Sequence, residues 1–196
     1  MRGAENDALK VNDGTPGTIM RTIGQERPAI PVSYGAQRRI IVPCVTVFAS
    51  DVFLLQSQAT KQSALVECRR RAEGVLARSS RHPEALLLGA MIAHQEGALD
   101  AAAALIEASR AQAPKDLWLS QHRISLILKL RRSSETAAVS PTDELATLMA
   151  SRRGLDFVAR LFVSTPDLRE EFLSAGVLAD EEARARFIAA AERLTR

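Results

Sequence analysis

Between Pro83 and Pro114 the chain carries an apolar block divided by Gly97, and no other stretch restricts the fold as strongly. A polar break at Ser79, Ser80, Arg81 and His82 precedes Pro83 and Glu84, which open a helix as a first-turn proline should. Leu86, Leu87, Leu88, Met91 and Ile92 leave that helix almost wholly apolar, so it needs cover on more than one side. Gly97 ends it, and Asp100 starts a second helix through Ala101, Ala102, Leu105, Ile106 and Ala108, which stops near Ala113 at Pro114. Two helices of about fourteen residues joined by so tight a connection can only fold back antiparallel.

The small residues of this pair sit where two backbones would cross. Ala90 and Ala102 allow close approach, and Leu86 and Ile106 fill the space beside them. In this spacing the block resembles a tetratricopeptide repeat. Leu86 stands at the usual Trp position, Gly89 and Ala90 at the Leu-Gly pair and Ala93 at the usual Tyr; Gly97 is the turn. Ala102 and Ser109 occupy small-residue positions, Ile106 the Phe position, and Pro114 the closing proline. The resemblance implies a protein- or peptide-binding surface lined by first-type helices and their loops, for which Arg70, Arg81, His94, Gln95 and Arg123 are the candidates.

Such a hairpin needs neighbours to cover its open apolar face. From about Thr60, Leu65, Cys68, Ala72, Val75 and Leu76 recur at helical spacing, with Arg69, Arg70, Arg71, Glu73 and Arg78 expected on the other side. Leu117 to Leu130 makes a following helix with Trp118, Leu119, Ile124, Ile127 and Leu128, whose partner from Ser133 to Val139 is short and cut off by Pro141. Beyond it a helical cap is expected: one helix with Leu145, Leu148 and Met149, and after Gly154 another with Leu155, Val158, Leu161 and Phe162. A third starts at Thr165 and Pro166, buries Leu168, Phe172 and Leu173, and closes at Gly176. The last begins at Asp180 and turns Ala183, Phe187, Ala190 and Leu194 inward. The expected class is all-α: an irregular arm over 1–58, a short array of tetratricopeptide-like antiparallel hairpins over 59–140, and a cap over 141–196.

The arm is assigned from its glycines and prolines and its lack of a sustained period. Within it the β-branched run Ile40 to Phe48 predicts extended structure, although no second strand is in view to pair with it. Pro43 and Asp51 interrupt the apolar stretch from Arg38 to Leu55, which falls short of the roughly 20 residues that a spanning helix needs. Cys44 and Cys68 form no CxxC pair and read as two reduced structural thiols, which makes a reducing cytoplasm the expected setting.

No reaction is legible in these residues. His82, His94 and His122 are too scattered to share a metal and read as surface or capping groups; no phosphate-binding, dinucleotide-binding or nucleophile-elbow motif is present, and no cofactor is implied. The chain is therefore expected to be a non-enzymatic protein-binding or scaffolding module, with self-association through its unfinished repeat ends left open. Two alternatives remain: a helical accessory portion of an enzyme such as a transferase or hydroxylase, and a small nucleic-acid-binding regulator. Against the second, 26 basic and 23 acidic side chains leave a net charge of only +3, and the acids are interspersed among the arginines at 69–71, 131–132 and 152–153.

Overall fold

A computed structural model of the chain describes residues 15–133 and 139–195. The first fourteen residues of the expected arm, and most of the weak partner segment between Ser133 and Val139, lie outside them. Among the described residues all regular structure is helical, as expected: ten α-helices and two short 3-10 turns, with no strand. They fall into two compact units, one ending at Gln112 and the other starting at Ala113.

The first unit contains α1 (Pro16–Gln25), α2 (Tyr34–Ala49), α3 (Gln58–Leu76), α4 (Pro83–Gln95) and α5 (Leu99–Gln112), with a 3-10 turn at Asp51–Phe53. Helices α4 and α5 pack against each other as the expected hairpin. Ser109 Oγ near the end of α5 donates to the Pro83 carbonyl at the start of α4 at 2.9 Å, which fixes the antiparallel sense. Ala90, Ala102 and Ile106 are fully buried, and Leu86 and Ala93 nearly so. A Cβ added at Gly89 would meet the Leu105 side chain at 3.4 Å. At the turn Gly97 adopts φ +76°, a left-handed conformation that costs glycine little. Ala98 N–H donates to the Ala93 carbonyl at 2.9 Å and Gly97 N–H to that of His94 at 3.1 Å, the paired bonds of a Schellman stop.

Residues 15–53 correct the reading of an irregular arm. Met20 and Ile23 of α1 are buried, and α1 packs on both α2 and α3. The β-branched run is helical: Ser33 caps α2 by accepting from Ala36 N–H, and Ile40, Ile41, Cys44, Val45, Val47 and Phe48 are buried against α1, α3 and α4. Local preference for extended structure amounts to only tenths of a kcal/mol per residue, and burial of six large side chains outweighs it. Pro43 lies inside α2 and removes one intrahelical donor. One residue into the opened turn, the Ile40 carbonyl accepts from Arg71 Nη1 at 3.3 Å.

Cys44 and Cys68 join in a disulfide between α2 and α3, with Cα atoms 5.8 Å apart, which corrects the reading of two reduced thiols. They are 24 positions apart in the chain, but the turn at Asp51–Phe53 folds α3 back along α2 and brings both sulfurs into the core. The ground for expecting a reducing compartment falls with that reading.

The second unit contains α6 (Leu117–Ser133), α7 (Thr142–Met149), α8 (Arg152–Ser164), α9 (Arg169–Leu178) and α10 (Glu181–Thr195), with a 3-10 turn at Pro166–Leu168. The expected boundary at 140/141 therefore moves: α6 shares a core with the cap, where Ile124 packs with Leu145, Leu148, Val158 and Phe172. Side chains cap three of these helices. Asp116 Oδ1 accepts from Leu119 N–H at 2.9 Å, Ser151 Oγ from Arg153 N–H at 3.3 Å, and Asp180 Oδ1 from Ala183 N–H at 2.6 Å. Gly154 is required by contact: a Cβ there would lie 2.4 Å from the Leu148 carbonyl oxygen, so α7 and α8 approach closely only without a side chain.

Candidate interaction site

Of the side chains singled out in the sequence, Arg70, Arg81, His94 and Gln95 lie in the first unit and Arg123 in the second. Arg70 is spent internally: its Nη2 donates to the Pro28 carbonyl at 2.8 Å and to Glu67 Oε1 at 2.7 Å. Arg123, in the second unit, is fully buried; it donates to Glu144 through Nε at 2.7 Å and Nη2 at 3.1 Å, and to the Ala113 carbonyl and Ser120 Oγ. Both are corrections to the expected binding surface. A guanidinium is buried where a carboxylate and backbone oxygens can match its fork, and here they do. Arg81 is exposed just before α4, whereas half-buried His94 and exposed Gln95 end it, about 20 Å away along thirteen residues. Pro114 is exposed after the end of α5, and its carbonyl accepts from Thr147 Oγ1 at 3.3 Å.

Two polar knots hold the first unit. Burial pushes the Glu67 carboxyl up, but hydrogen bonds from Arg70 and Arg71 bring it below its ordinary pKa. Fully buried Arg71 also donates to the Glu26 carbonyl, so one α3 side chain ties down the end of α1 and, through Ile40, α2. It therefore does not belong on the solvent side of α3 where the sequence pattern placed it. The second knot joins α2 to the start of α4. Glu84 accepts from Tyr34 Oη at 3.0 Å and Arg38 Nε at 2.7 Å, and His82 Nδ1 lies 3.2 Å away. Burial alone would raise the Glu84 pKa; the imidazole, the backbone N–H and the Arg38 and Tyr34 donors instead lower it to about 2. Of the surface or capping role expected for His82, the surface half is corrected: it occupies the N-cap position of α4, without a side-chain cap bond, and is buried and stacked on Tyr34 at 4.5 Å. Each knot has a local half that spacing could have shown, Glu67 with Arg70 and Arg71 at i,i+3 and i,i+4 and His82 beside Glu84, and a distant half that it could not: Pro28, Glu26 and Ile40 in the first, Tyr34 and Arg38 in the second.

Large apolar side chains are exposed in both units, at Leu54 and Leu55 in the first and along α9 in the second. Phe162, Phe172 and Phe187 meet at centroid distances of 5.2 to 5.9 Å and lock α8, α9 and α10 together. That packing sets the rotation of α9: Phe172, Ala175 and Gly176 turn inward, and Leu173 and Val177, one turn apart, point out. Leu173 is 73% exposed, Val177 77% and Leu178 63%. Leu173 was expected in the core, and so was Leu194, which is half exposed. The 3-10 turn at Pro166–Leu168 takes up the residues read as the first helical turn, so the start and facing of the helix shift, and Gly176 lies inside α9 rather than closing it.

Beside this stripe, between α7 and α9, a cleft of about 490 Å³ is lined by Lys115, Leu117, Ala146, Thr147, Ala150, Ser151 and Leu178. Ala146 on α7 and Ala150 at its C-cap, one turn apart, contribute only methyl groups to the lining. Its volume is in the range of small-ligand sites, but its lining has a single charged group and no acid-base pair. Elsewhere in this unit, burial lowers the pKa of His122 to about 4, and its ring packs edge-on against Trp118 at 4.3 Å. Among the described residues no group of three His, Cys, Asp or Glu could hold a metal ion, and no helix is long and apolar enough to cross a membrane.

What fold and surface define is an all-helical protein of two small units with an apolar face on the second. No protein-family model matches the chain, and no curated protein or solved structure matches it either.

Proposed function

We propose that the chain is a non-enzymatic interaction module that binds a protein or peptide partner through its second unit. The observation that carries this reading is the stripe Leu173, Val177 and Leu178 beside an apolar cleft. Covering an aliphatic side chain is worth about 1.5–3 kcal/mol, so three neighbouring ones give a partner a substantial gain. Lys115 at the rim adds one positive charge, suited to a partner that is acidic at that edge. Within the first unit, α2 touches α3 and α4, α3 touches α4, and α4 touches α5. This order of neighbours supports a tetratricopeptide-like stack as the scaffold. The nucleic-acid reading is weaker, since Arg70, Arg71 and Arg123 are engaged internally and Arg131 pairs with Glu171.

The test compares the full chain with a Leu173→Asp/Val177→Asp variant in quantitative pull-downs, with size-exclusion light scattering to detect self-association. Both positions point to solvent, so helix content should be unchanged. The reading requires at least one protein, or a second copy of the chain, to be retained by the wild type and lost from the variant. Identical recovery from both refutes it.

A further inference from the structure

Cys44 and Cys68 are both fully buried, and their bond crosses from α2 to α3 next to the Glu67 and Arg71 knot. Helix α2 combines β-branched residues with an internal Pro43, so its helical state rests on tertiary contacts. The crosslink is placed one residue after that proline. The second unit has no cysteine. We propose that this disulfide forms in the working protein and acts as a redox-dependent staple of the first unit: the chain matures where thiols are oxidised, and reduction loosens α2 and α3 but not α6 to α10.

The chemistry is an exchange. An incoming disulfide, of the glutathione or dithiol-oxidoreductase class, accepts two electrons and is cleaved to two thiols; the Cys44 and Cys68 thiols lose two protons to it and form one Sγ–Sγ bond. Oxidising compartments favour that direction and a glutathione-reduced cytosol opposes it. Because both sulfurs are buried in the core, a reductant reaches them only when the unit opens, and loss of the bond then biases the unit towards its open state.

The full chain, produced in an oxidising host, is denatured and alkylated with and without prior reduction, and the mass is read. The proposal expects no alkylated cysteine without reduction and two after it. In parallel, hydrogen exchange is followed by mass spectrometry on protein refolded with and without a phosphine reductant. Exchange in 34–76 should be faster in the reduced protein, on the order of 100-fold, with 142–195 unchanged. A Cys44→Ala/Cys68→Ala variant should behave like the reduced wild type and ignore the reductant. Two alkylated thiols without reduction, equal protection of 34–76 in both redox states, or a variant as protected as the oxidised protein would each overturn the proposal.

Discussion

Replacing Gly154 by alanine sets two effects of opposite sign against each other. Helix propensity favours alanine over glycine by up to about 1 kcal/mol, so the exchange should stabilise α8 if local preference decides. The added Cβ, however, would lie 2.4 Å from the Leu148 carbonyl oxygen, 2.9 Å from its Cα and 3.0 Å from its carbonyl carbon. Ordinary contact begins near 3.4 Å, so α7 and α8 would have to separate by about 1 Å. The obstacle is backbone, which cannot swing aside as a flexible side chain can. Forced overpacking of this kind costs about 1–3 kcal/mol, and separation would also loosen the contacts of Leu148, Leu155 and Val158 in one core. The net expectation for Gly154→Ala is a loss of about 1–2 kcal/mol. Gly176→Ala supplies the control, because a Cβ at that position in α9 meets nothing within 4 Å. There propensity acts alone, and a gain of about 0.5–1 kcal/mol is expected. Urea unfolding followed by circular dichroism reads both changes as midpoint shifts at constant slope. If Gly154→Ala is as stable as the wild type, the close approach of α7 and α8 is wrong.

Three further outcomes follow from buried groups and crossing points. Glu144→Ala leaves the Arg123 charge unmatched in the core and should cost about 3–5 kcal/mol, whereas Arg123→Met/Glu144→Leu should recover most of that loss; a double-mutant cycle in urea measures both. Ala102→Leu should separate α4 from α5 and cost about 1–3 kcal/mol, read as faster hydrogen exchange across both helices, and an unaffected hairpin would refute the crossing. The two units should respond to acid in different ranges. His122 is depressed to about 4, so the folded second unit disfavours its protonation and loses stability as pH falls from about 6.5 to about 4. Glu84 is depressed to about 2, so its contribution, on the order of 3 kcal/mol, is complete above about 4.5 and lost below that towards 2. Fluorescence of Trp118, the only tryptophan, should report the first titration with a midpoint near 4, because protonated imidazole quenches an adjacent indole. A midpoint near 6.5 would show that His122 is not desolvated.

Residue order by itself was enough for what depends on near neighbours along the chain. Pro83, Gly97 and Pro114 set the ends of α4 and α5, and the alternation of small and large residues between them was sufficient to pair the two helices. The caps at Asp116, Ser151 and Asp180 are equally local, two or three positions from their donors, although the sequence marks only Asp180 as a helix start. The tertiary structure decided everything that needed a distant partner. It made α2 a helix against its own preference, joined Cys44 to Cys68, and drew Arg70, Arg71 and Arg123 inward, where opposite charges and free carbonyls awaited them. It also set the rotation of α9, on which the candidate surface rests: a phenylalanine cluster spanning 25 residues turned Leu173 out, and the period of the helix alone does not say which of its apolar sides the core will take.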